Sequence, residues 1–179
     1  DLHSFPTRRS SDLEPGARIQ GIEVEATAVP ADGLDLSASL GYLDAKYDNF
    51  VGDITGRGVT DNSGLKLRRT PEYTATVSGD YTFPAGHGEI SLGARYRYLD
   101  ALELAVTNDP LGHVPGGGFL DASIGYGMNI GGADWTIKAY GRNLTDTLRQ
   151  NVYFRTGGFL AFASANRGRE AGIELTAKF

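Results

Sequence analysis

Glu170-Ala171-Gly172-Ile173-Glu174-Leu175-Thr176-Ala177-Lys178-Phe179 places an apolar side chain at every second position. Ala171, Ile173, Leu175, Ala177 and Phe179 form one face, and Glu170, Glu174, Thr176 and Lys178 fill the other. Period two is the strand period, because successive Cβ atoms point to opposite sides of a sheet.

The same alternation recurs upstream, giving about seven strands in all. The first runs near Ile19 to Val29, with Ile22, Val24, Ala26 and Ala28 on its apolar face. The second carries Leu34, Leu36, Ala38, Leu40 and Tyr42 and runs to about Tyr47. Tyr73, Ala75, Val77, Tyr81 and Phe83 mark the third. Ile90, Leu92, Ala94, Tyr96 and Tyr98 mark the fourth. The fifth shows Leu120, Ala122, Ile124, Tyr126, Met128 and Ile130, and the sixth Trp135, Ile137 and Ala139. Short turns at Pro30–Gly33, Pro84–Gly88 and Gly131–Asp134 alternate with long polar stretches to about Thr70, to Gly118, and from Leu144 to Gly168. Tight turns on one side and long excursions on the other are the loop asymmetry of outer-membrane barrels.

Composition by itself points elsewhere. With 179 residues, 40% hydrophobic, pI about 5.1 and mean hydropathy −0.26, the chain reads as one ordinary acidic domain. No apolar run reaches the roughly 18 residues of a membrane-spanning helix. A barrel strand needs only about 10 alternating residues and gives little hydropathy signal. The absence of cysteine removes disulfides, thiol catalysis and thiolate metal sites. A net charge of −5 argues against nucleic acid as a partner.

A soluble sandwich would show the same alternation, so the aromatic residues decide. Tyr42, Tyr73, Tyr96, Tyr98 and Phe119 fall near the long-loop ends, and Tyr81, Phe83, Trp135 and Phe179 near the short turns. Two such girdles place rings where lipid headgroups meet hydrocarbon. The fold class expected is therefore all-β, an antiparallel transmembrane β-barrel, present in part. Residues 1–13 (DLHSFPTRRSSDL) lack alternation and resemble translated sequencing-adapter read-through, or else a disordered leader, so the barrel segment is taken as 14–179.

Arg69-Thr70-Pro71-Glu72-Tyr73-Thr74 resembles a strand-start pattern of TonB-dependent receptors. Gly141-Arg142-Asn143-Leu144-Thr145-Asp146 is similar to their penultimate-strand signature, and Arg167–Phe179 to their terminal strand. Gly21-Ile22-Glu23 followed by Tyr42-Leu43-Asp44-Ala45 resembles an upstream hairpin of the same barrels. The resemblance covers about Ala17 to Phe179. It implies a barrel of about 22 strands, enclosing an N-terminal plug, in the bacterial outer membrane. It also implies uptake of a scarce ligand such as an iron chelate, cobalamin or a carbohydrate, with TonB-supplied energy. The partners implied are outer-membrane lipid, the barrel-assembly machinery, and missing N-terminal strands and plug through which TonB would act. Ile173, Leu175 and Phe179 would then be the assembly signal.

Little in the chain suggests catalysis. His3, His87 and His113 are far apart and none lies at ligand spacing from another, so no metal site or cofactor is assigned. No nucleophile elbow appears, Gly116-Gly117-Gly118 lacks a following phosphate-loop Lys, and the sequon at Asn143 coincides with the strand-end signature. Arg95, Arg97, Lys138 and Arg142, with Asp80, Asp121 and Glu174, project from the polar faces and are the candidates for a ligand path or for lumen solvation. The alternatives are a small structural or adhesive outer-membrane barrel and a soluble lipocalin-like binding barrel, the latter disfavoured because its interior would be apolar.

Overall fold

The computed structural model describes residues 16–156 and 159–179. The strands are β1 (Gly16–Ala31), β2 (Leu34–Asn49), β3 (Val51–Gly52), β4 (Thr60–Asp61), β5 (Tyr73–Ala85), β6 (Gly88–Leu99) and β7 (Leu102–Glu103). They continue as β8 (His113–Val114), β9 (Gly117–Ile130), β10 (Ala133–Arg142), β11 (Gln150–Thr156), β12 (Leu160–Ala165) and β13 (Glu170–Lys178). Seven of them form one antiparallel sheet in the order β1-β2-β5-β6-β9-β10-β13. These are the seven strands that the alternation predicts. Among the described residues β1 and β13 each keep one unpaired edge, so the sheet is not closed.

The short turns are tighter than the sequence suggests. Two residues each suffice: Asp32-Gly33, Gly86-His87 and Gly131-Gly132. Gly131 and Gly132 both take positive φ, 62° and 85°, which glycine adopts without a Cβ clash and which suits the twist of a two-residue hairpin.

Register aligns the apolar faces into continuous rows. Ala38 opposes Ala26 on one side and Val77 on the other, and Val77 then opposes Tyr96 and Tyr96 Leu120. At the other end Ile124, Ala139 and Ile173 are successive partners. None of the described residues packs over this face: Ile22 is 67% exposed, Val77 54% and Ile173 76%. Among the described residues the buried apolar side chains are Phe50, Leu104 and Val114 in the long connections, with Ala133 at a hairpin turn. A soluble sandwich would bury the sheet face first.

Aromatic pairs bound the apolar band. Tyr42 and Tyr73 lie 5.3 Å apart at one end, and Tyr81–Phe83 and Trp135–Phe179, at 4.9 and 6.3 Å, lie at the other. Ten residue steps lead from Tyr73 to Phe83, which at about 3.3 Å per step and a tilt near 40° span roughly 25 Å, the height of a lipid-facing band. Phe119 is a correction to the girdle. It registers with Arg97 on the polar face, because Leu120, one residue on, takes the outward position.

The third long connection is also corrected. Read from the sequence as a long loop from Leu144 to Gly168, it carries the β11–β12 hairpin, with Phe154 opposite Phe162. Gly157 lies outside the described residues, as do residues 1–13.

Candidate functional site

The polar face holds rows of short and charged side chains. Ser37 and Ser78 share a 2.7 Å hydrogen bond between hydroxyls, and the row continues through Arg95 to its partner Asp121. One rung over, Asp35 opposes Asp80, and Gly93, Ser123, Tyr140 and Gly172 continue the line. Lys138 stands between Gly125 and Glu174. A shallow depression of about 260 Å³ gathers Asp80, Arg95, Asp121, Lys138, Arg142 and Glu174 above small residues. A polar concave face with an apolar outer face is the arrangement of a water-filled lumen, and the reverse of a lipocalin interior.

Of the four basic candidates, Arg95, Lys138 and Arg142 meet in this depression and Arg97 does not. The Arg97 guanidinium lies 5.2 Å from the centre of the Phe119 ring, and that of Arg142 5.2 Å from the ring of Tyr140. Arg95–Asp121 and Lys138–Glu174 are directly opposed. Among the described residues neither pair closes to an ion pair, and Asp121 is engaged instead by a backbone N–H, that of Asn143.

The signature Gly141–Asp146 turns out to be a structural knot. Asn143, buried and at φ 49°, receives Thr147 N on Oδ1 at 3.0 Å and donates Nδ2 to the carbonyls of Thr147 and Arg167 at 3.0 and 3.1 Å. Its own backbone N–H donates to Asp121 Oδ1 at 2.7 Å. Asp146 receives Arg169 N at 2.9 Å. Thr145 and Thr147 hydroxyls donate to Gly118 O at 2.8 and 2.6 Å. The motif thereby ties β10 to β9 and to the chain leading into β13.

Beyond the strands the long connections fold into one layer. Arg149, nearly buried, donates to Leu99 O and Asp100 O at 2.5 and 2.9 Å, and burial draws its guanidinium below its usual pKa against the pull of Tyr98 and Asp100. Asp109 Oδ2 receives Arg155 Nη1 at 2.6 Å and Tyr153 Oη at 2.9 Å, and Oδ1 caps Leu111 N at 3.0 Å. The Arg155 hydrogen bond, aided by those of Leu111 and Tyr153, holds that carboxyl below the ordinary range. Arg69 donates from its backbone N–H to Glu103 O at 2.9 Å and from its guanidinium to Asn151 O at 3.1 Å. Glu103 Oε1 pairs with His113 Nδ1 at 2.8 Å. Sequence reading missed this layer, whose partners lie up to 82 residues apart. Among the described residues no group of three His, Asp or Glu side chains is placed to hold a metal.

Of the assembly-signal candidates, Ile173 and Leu175 point outward from β13, and Phe179 follows its end against Trp135.

The family described as "TonB dependent receptor-like, beta-barrel" matches residues 5–144, reaching into the leader that lacks alternation. Three solved structures share the fold. The ferric yersiniabactin uptake receptor FyuA from Yersinia pestis is 20% identical with a TM-score of 0.74, covering 91% of this chain and 24% of its own. BauA, the ferric preacinetobactin receptor from Acinetobacter baumannii, is 19% identical at a TM-score of 0.67, covering 90% of this chain and 22% of its own. The siderophore receptor PiuA from Acinetobacter baumannii is 22% identical at 0.67, covering 90% and 21%. The chain spans less than a quarter of the length of each. An open seven-stranded wall, apolar outside and polar inside, is what such a quarter of a barrel would contribute, and the chain belongs to the TonB-dependent receptor-like β-barrel family.

Proposed function

We propose that this chain is one wall of an outer-membrane receptor that takes up an iron chelate, with energy supplied by TonB through a plug encoded upstream. The observation that carries this reading is the two-faced sheet: an unpacked apolar band bounded by aromatic pairs, backed by a polar depression. The iron chelate is preferred over cobalamin or a carbohydrate because the three similar solved structures are receptors of ferric siderophores or siderophores. Arg95, Lys138 and Arg142 would line the path or meet the plug, and the folded loop layer would take part in ligand capture. No step of bond chemistry is assigned. Ile173, Leu175 and Phe179 would be read by the barrel-assembly machinery.

Deleting the gene for the full-length receptor tests this. Growth on ferric siderophores as sole iron source is expected to fall, with the same loss in a strain lacking TonB. Normal growth across a siderophore panel, together with a defect on cobalamin or a carbohydrate, would move the ligand to that class.

A further inference from the structure

Each long connection rests on the next around the upper rim. Asn108 in the second connection accepts from Lys66 N of the first at 2.7 Å and donates to Lys66 O at 3.0 Å, and Arg69 N of the first donates to Glu103 O of the second. The second connection in turn meets the third, where Tyr153 and Arg155 of β11 both donate to Asp109. The Tyr153 ring also lies so close to Gly112 that a Cβ there would come within 2.9 Å of it. Alternation therefore turns the Tyr153 and Arg155 side of the β11–β12 hairpin toward the second connection.

The opposite side of the hairpin is apolar and uncovered. Val152 and Phe154 share it with Leu160 and Phe162, because Phe154 is directly opposed to Phe162 and Thr156 to Leu160. The Phe154 and Phe162 rings lie 5.7 Å apart, and these four side chains are 40–57% exposed among the described residues. Thr156 and Ser164 complete the face, which carries no charge. Contiguous apolar side chains left open to water mark a contact surface. This one faces onward along the rim, because the second connection occupies the other side, and beyond it the sheet ends at the free edge of β13.

We propose that this face docks the connection joining the first two strands of the full-length barrel. Lipid satisfies no free strand edge, so β13 must pair with a further strand. β1 is not that strand: in a sheet of seven antiparallel strands β1 and β13 run in the same direction, and barrels of this kind are antiparallel throughout. With the chain read as the last wall of a receptor, the neighbour of β13 is the first barrel strand, encoded upstream. It rises from the short-turn side, and its upper end feeds a connection that stands beside β11–β12. The packing of each connection on the next thus continues across the closing seam, and the segment that covers Phe154 and Phe162 is apolar. The inference rests on the receptor reading above and not on the identity of the imported ligand.

The test replaces Phe162 of the full-length receptor with the photo-cross-linker p-benzoylphenylalanine in whole cells and reads the linked peptides by mass spectrometry. The expected product joins that position to the connection between the first two barrel strands. The same cross-linker at Tyr153 is expected to reach the second connection, and at Val59, which is 70% exposed, to set the background. Phe154→Ser, which removes the neighbouring ring and leaves the β11–β12 backbone pairing in place, is expected to lower the yield severalfold with heat-modifiability unchanged. A yield no higher than that at Val59, or one that Phe154→Ser leaves unchanged, overturns the proposal. So do products with lipid, with a second copy of the receptor or with an added ferric siderophore in place of that connection. Absence of the receptor from outer-membrane fractions would instead overturn the placement on which both readings stand.

Discussion

Asn143 shows how much one residue can hold. Its side chain satisfies backbone groups of Thr147 and Arg167 while its backbone occupies a left-handed conformation that Asn tolerates. Removing the amide leaves buried donors and acceptors unpaired, which costs about 1–3 kcal/mol per group. Asn143→Ala in the full-length receptor is therefore expected to lower the unfolding midpoint, and Asn143→Asp, which keeps the acceptor, to lower it less. Equal midpoints for the parent and the Ala variant would show that the knot is dispensable. Asp109 makes a second prediction. A carboxylate held below its usual pKa by Arg155 contributes stability above that usual value and loses it as pH falls through the lowered one. Hydrogen exchange at Gln150–Thr156, corrected for intrinsic rate, is expected to be flat from about pH 8 to 5 and to rise only below the ordinary carboxylate value of 3.8. A rise near neutral pH would point to a different tie between β11 and the second connection.

At the scale of elements, β13 and the hairpins carry the predictions. β13 pairs only with β10 and offers its other edge, with Ile173 and Leu175 exposed beside it. An exposed edge supplies backbone hydrogen bonds to a partner, and alternate side chains supply selectivity. Deleting Phe179 from the intact receptor is expected to reduce its outer-membrane level strongly. A role confined to the ring contact with Trp135 predicts only a mild loss. The hairpins test orientation. If the two-residue turns are periplasmic, an impermeant thiol label on whole cells reaches cysteines placed at Gly56 and at the exposed Leu111, but not at Gly86. Labelling at Gly86 reverses the orientation.

The whole molecule is an open sheet, and its edges set its behaviour. In lipid every unpaired N–H and C=O costs several kcal/mol, so a wall with two free edges is not a stable spanning structure by itself. The 179-residue chain expressed alone and refolded in detergent is expected to aggregate, to give no heat-modifiable band and to conduct no ions. A monodisperse monomer with steady single-channel currents would mean that these strands close without their neighbours.

Sequence alone determined the seven strands, their two faces and most of the girdle, because alternation is written into the chain by covalent geometry: Ile173 and Leu175 must share a side whatever lies next to them. The same parity put Arg95, Lys138 and Arg142 on the polar face. It also counted against Phe119 as a girdle residue, since Leu120 already claimed the outward side. What parity cannot give is register, which turn geometry and neighbouring strands fix together. That Lys46 meets both Arg18 and Lys66, or that Arg95 faces Asp121, follows only from pairing across the sheet. The loop layer lay further out of reach. Arg155 finds Asp109 across 46 residues and Arg149 finds Leu99 across 50, contacts that exist only once the strands have brought the ends of three connections together.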